Sequence, residues 1–292
     1  MLPDPVVPGS AYLIDDDLLA GAPPDPALAA AATGTLTVDP RGPLYSAVAQ
    51  ALAADAATAV ADGVPWNVIR IPGMSVYEVR IGLSRHLDIN SPADWAQYLG
   101  TTLDRGSTGD VDTVLRVRAE AARSAGTGLA VDEWTGAVRD WLHATDQPDA
   151  AYAALDRLAP AIDEVDGWLR ETHVLPPGVL LPGIVGHQAS YAVTAIRYGA
   201  QSGDADHAAV TQGLLAVVDL ITGRAASWRE YAATVLAGAA LTAEPDERRA
   251  RFDALLPAVA TCLTARDSPW RTLRYPLPEL TITDFQEDSW DY

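Results

Sequence analysis

A guanidinium at Arg197, a carboxylate at Glu230 and an amide at Asn67 are the polar groups that would build a small-molecule site here, if their segments pack as neighbours. Arg197 would bind an anion. In "SYAVTAIRYG", however, Tyr191, Ala195 and Tyr198 share one helical face, widened by Val193 and Ile196. That spacing sets Arg197 at the edge of an apolar surface. Its stem is expected to pack there and its guanidinium to pair with a carboxylate, Asp219 or Glu230 being the candidates.

Glu230 has a structural reading as well. In "SWREYAATVLAG", Ser227 precedes a helical pattern and Glu230 follows three residues later, the spacing of a capping box. Ser227 would accept from the Glu230 backbone N–H, and the Glu230 carboxylate would reach back to the Ser227 N–H. Capping alone supplies ~1 kcal/mol of reason for both residues. Trp228, Tyr231 and Val235 then face the core. In "VPWN", Asn67 follows a helix stop and is expected to bond turn backbone while Trp66 anchors; "SPWR", with Trp270, repeats the style.

Other chemistries lack their residues. Asp15, Asp16 and Asp17 form a triplet, without a second carboxylate set at one-turn spacing on a helix. His86, His143, His173, His187 and His207 make no HExxH or ExxH pattern, so no metal and no cofactor is expected. His187 and His207 each open a helix, which would let them approach one another, although an unpaired surface histidine is the commoner arrangement. There is no lysine, which removes a Walker lysine and a Schiff base, and no GxSxG elbow or dinucleotide loop. Cys262 is alone, so no internal disulfide forms. No catalytic residue is assigned.

The elements that must position these groups are helices. Met1 to Arg41 reads as a Pro- and Ala-rich arm, loosely ordered, with one short helix around "PALAAAA". From Gly42 one helical pattern follows another. "PLYSAVAQALAADAATAVADG" puts Leu44, Val48, Leu52 and Ala56 on one face and stops at Gly63. "SPADWAQYLG" opens with Ser91 as cap and Pro92 at the first position. "VDEWTGAVRDWLHAT" aligns Trp134, Val138, Trp141 and Leu142. Pro160 predicts a kink or break in the helix that carries it. "WNVIRI" and "ELTITDF" are the only β-like runs. The reading is an all-α single globular domain over 42–276, after an arm at 1–41 and before an acidic tail at 277–292.

The order of "GVPWN", "SPADW", "AVTAIRYG", "SWREY" with Gly238, and "SPWRTL" resembles the bacterial domain-of-unknown-function family 1266, over roughly Leu44 to Tyr275. The resemblance implies a mainly helical domain without an established activity. Arg197, Gly199, Ser227, Trp228 and Glu230 match the family pattern. Gln188 and Tyr191 stand where the family usually has Asp and Arg, and Ala239 where it often has Arg, which looks like the deletion of an ion pair.

Composition bounds the function. The chain of 292 residues carries 39 acidic residues against 20 basic ones, a formal charge of −19. Such a surface repels phosphate backbones, so nucleic acid is not an expected partner, whereas a basic protein is. No apolar run is long enough for a membrane span, and "MLPDPVVPGS" lacks the basic start of a signal peptide, which favours a cytoplasmic place. The Arg, Ala, Gly and Pro richness suits a GC-rich genome. The favoured expectation is an acidic module binding a basic protein, as an inhibitory, immunity or regulatory factor. The alternative is an enzyme or carrier for an apolar small molecule in an aromatic-lined cavity. Candidate binding residues are Asn67, Arg197, Tyr198, Trp228, Glu230 and Trp270.

Overall fold

The computed structural model describes residues 25–104, 109–125, 130–275 and 279–286. Among them the chain is all-α, without a strand, and forms one compact domain. The helices are α1 (Pro26–Ala31), α2 (Ala47–Ala53), α3 (Ala56–Asp62), α4 (Val76–Leu87), α5 (Pro92–Asp104), α6 (Gly109–Ala125) and α7 (Val131–Ala144). They continue with α8 (Asp149–Glu171), α9 (Val185–Ser202), α10 (His207–Ile221), α11 (Trp228–Leu241), α12 (Arg248–Thr264), α13 (Pro269–Thr272) and α14 (Ile282–Gln286).

Local chemistry starts these helices. Ser227 Oγ accepts from Glu230 N at 3.1 Å, Ser91 Oγ from Asp94 N at 3.2 Å, and Asp206 Oδ1 from Ala209 N at 2.8 Å. Each satisfies a donor that the first turn leaves without a carbonyl. The second half of the expected box at Ser227 differs: Glu230 Oε2 accepts from the N–H of Ala226, one residue further back.

Burial selects α9 as the central helix. It packs against α11, α10, α5 and α4, and α11 in turn packs against α12 and α8. Glycines set the α9–α11 approach. A Cβ on Gly186 would lie 2.5 Å from Val235 Cγ2, and one on Gly238 would lie 2.2 Å from His187 Cβ. Backbones this close require the absence of a side chain. On the flank, α6, α7 and α8 pack together over a buried Arg118–Asp166 pair at 2.8 Å.

Five expectations need correction or restriction. The run from Ala47 to Asp62 is two helices rather than one, interrupted at Ala54 and Asp55, and Leu44 lies outside it, exposed. The arm is not loose over its described part: Leu28 is buried, α1 packs on α12, and Gly34 N–H donates to Thr261 Oγ1. Residues 1–24, with the Asp15–Asp17 triplet, lie outside the described residues, as does 287–292 of the tail. Helix α8 runs through Pro160 unbroken. Of the β-like runs, "WNVIRI" is irregular and the end of "ELTITDF" enters α14.

Candidate functional site

Arg197 finds neither Asp219 nor Glu230. Its guanidinium reaches across the core to the "VPWN" turn: Nε donates to Val68 O at 3.0 Å, and Nη2 donates to Pro65 O at 2.9 Å and Trp66 O at 2.7 Å. Nη1 faces Asp55 Oδ2 at 3.4 Å, both side chains 2% exposed. Asp55 was not singled out in the sequence, yet it is the one ionisable residue in the Ala-rich run from Ala47 to Ala61. A charge there, in a segment that is otherwise core, was the available signal.

Burial pushes the Asp55 carboxyl up to about 6, against the pull of Arg197 and of the Thr58 and Ser190 hydroxyls. Burial also lowers Arg197, against the carboxylates of Asp55 and Asp62. Tyr198 is half-buried beside them, its phenol raised by burial and by Asp62 and Asp55. The pair therefore sits where a charge is costly, and its partners compensate only in part.

The turn is fastened from its other side as well. Asn67, fully buried, accepts from Asp39 N at 2.8 Å and donates to Asp39 O at 2.9 Å. Arg197 and Asn67 thus come together on one turn, with every contact structural. Glu230 does not join them; it caps α11.

The aromatic candidates converge elsewhere on the same helix break. Trp270 stacks on Trp228 with centroids 6.0 Å apart, and Tyr231 meets both edge-on. Their polar tips are all bonded: Trp270 Nε1 to Ala53 O at 2.7 Å, Tyr231 Oη to Ala54 O at 2.8 Å, Trp228 Nε1 to Leu273 O at 2.9 Å. The interruption between α2 and α3 frees the carbonyls of Ala53 and Ala54 from the helix ladder and offers them to these rings. Three consecutive residues, Ala53, Ala54 and Asp55, receive Trp270, Tyr231 and Arg197. The aromatic group is packed core.

Cavities lie instead along the outer edge of the α9–α11 seam. One of about 580 Å³ is lined by Thr58, Asp62, His187, Tyr191, Thr242 and Arg251, among others. Another, of about 740 Å³, shares His187, Tyr191 and Thr242 and adds Tyr98, Thr102 and Gln188. Burial lowers the His187 imidazole to about 4, so it is neutral. His207 is not its neighbour in these cavities; it lines a separate one with Gln212 and Ile282. Among the described residues no three of His, Cys, Asp or Glu gather as metal ligands would, and no helix is long and apolar enough to cross a membrane.

A family model described as "Protein of unknown function (DUF1266)" matches residues 82–275. No curated protein and no solved structure matches the chain. Tyr191 lines both seam cavities, Ala239 the first and Gln188 the second.

Proposed function

The chain belongs to the DUF1266 family, and since membership brings no activity with it, we propose a function from the geometry: an acidic helical module that binds a basic protein partner. The observation that supports this reading is the commitment of Arg197, whose guanidinium is consumed by three backbone carbonyls and Asp55. Asn67, Trp228, Trp270 and Glu230 are likewise held by backbone groups. An enzyme or carrier built on an aromatic cavity around Arg197 would need those groups free.

The outer face of α7 and α8 is the surface that suits such a partner. Asp132, Glu133, Asp140, Asp156, Asp163 and Glu164 are exposed on these helices, against exposed Arg139 and Arg157. Arg139 is itself paired with Asp156. An excess of exposed carboxylates on these helices attracts a basic surface and speeds its encounter.

The test is affinity capture from the native cell with the wild-type chain and with a variant carrying Asp132→Asn, Glu133→Gln and Asp140→Asn. A partner retained at low salt, released at high salt and lost with the variant is expected. Capture that ignores both salt and the three substitutions would sink the reading.

A further inference from the structure

Tyr191 is 47% exposed in the middle of α9, a helix that otherwise buries most of its side chains. Its ring stands edge-on to His187, centroids 4.7 Å apart. Both rings, with Asp62 and Thr242, line the cavity of about 580 Å³ between α3, α9, α11 and α12, and the second cavity opens beside them. Volumes of this order accept small organic molecules.

The protons decide what an occupant must bring. The Thr242 hydroxyl has one hydrogen, and Gly238 O accepts it at 2.7 Å. The 3.1 Å contact between Thr242 Oγ1 and His187 Nε2 therefore assigns the imidazole hydrogen to Nε2, with Thr242 as acceptor. Burial keeps the ring neutral. Nδ1 is then a lone pair without a hydrogen-bond partner among the described residues. Asp62, exposed at the end of α3, supplies a carboxylate. Arg251, the cation of the lining, is held by Glu247 Oε2 at 3.2 Å. The lining thus offers an imidazole and a carboxylate beside an exposed aromatic ring. The imidazole lone pair and the carboxylate are acceptors, in a chain whose net charge attracts cations.

We propose that this cleft binds a small organic cation of the amine class, its ammonium group recognised by Asp62, His187 Nδ1 and the face of Tyr191. The site is distinct from the α7–α8 face and does not depend on the basic-partner reading.

Titration calorimetry of the full chain with cadaverine tests it, with pentanediol and glutarate as the uncharged and anionic counterparts. Cadaverine is expected to bind saturably at one site, and the other two compounds to give no heat of binding. Asp62→Asn and Tyr191→Ala are each expected to weaken cadaverine about tenfold. Glu279→Gln, at an exposed carboxylate that lines neither cavity, is expected to leave binding unchanged. Asp62 and Tyr191 are both exposed, and melting curves establish that the variants keep the fold. Nitrogen NMR of His187 gives a second readout: cadaverine should move the Nδ1 resonance. The proposal fails if cadaverine does not bind, if pentanediol binds equally well, or if Glu279→Gln weakens binding as much as Asp62→Asn does.

Discussion

Asp55 and Arg197, 142 residues apart in the sequence, face each other at 3.4 Å with both side chains out of water. The guanidinium also closes the turn at 65–68, so a single side chain joins α9, the α2–α3 break and the turn. Removing one member of such a pair leaves the other as an uncompensated buried charge. Arg197→Met is therefore expected to cost about 3–5 kcal/mol of stability, read by urea denaturation. Arg197→Lys should cost much of that as well, because an ammonium cannot match the guanidinium's spread of donors. Adding Asp55→Leu to Arg197→Met should recover part of the loss; no recovery would show that the pairing contributes little.

The same carboxylate makes a pH prediction whose sign is opposite to that of His187. Asp55 rises from the ordinary 3.8 to about 6 on folding, so the folded state holds its proton more tightly. Its contribution to stability is full below 3.8 and is lost as pH rises towards 6. His187 falls from the ordinary 6.5 to about 4, so its contribution is full above 6.5 and is lost as pH falls towards 4. Between pH 4 and 6 the two oppose each other. Relative to wild type, Asp55→Asn should make stability climb more steeply with pH in that window, and His187→Asn should make it decline. Denaturation midpoints across the window check both slopes.

The glycine seam predicts a contrast between positions. Gly238→Ala would bring a Cβ to 2.2 Å from His187 Cβ, and Gly186→Ala to 2.9 Å from Val235 N. Each is expected to lose about 1–3 kcal/mol, since packed helices cannot separate without cost. Gly82→Ala, in α4 with open space around it, should instead gain up to about 1 kcal/mol. Thermal melts of the three variants decide. A neutral Gly238→Ala would mean that α9 and α11 are not in this contact.

Cys262 is fully buried, and burial pushes its thiol far above the usual range. A protonated, enclosed thiol does not react. Labelling of the native chain by a thiol reagent should therefore proceed no faster than unfolding, and Arg197→Met should accelerate it. Rapid labelling without denaturant would contradict the burial.

The boundaries of α5, α7, α9, α10 and α11 were legible in the sequence because their causes lie within a few residues. Ser91, Ser227 and the glycine at 203 act on the nearest turn, and the stripe Trp134, Val138, Leu142 repeats at the helical period. The motifs were also legible as structural: "VPWN", "SPWR", "SWREY" and "AIRYG" do hold helices and turns together. Their partners were not. Nothing local says that Arg197 turns to Asp55 rather than to Glu230, or that an Ala-rich helix must break so that Ala53 and Ala54 can accept from Trp270 and Tyr231. Nor could composition show that His187 and Tyr191 border an open cleft while the tryptophans fill the core. Helix caps and apolar stripes are short-range consequences of backbone geometry, and the sequence determines them by itself. The pairing of a desolvated polar group is decided only when distant helices meet, because its alternatives become costly at the moment water is excluded.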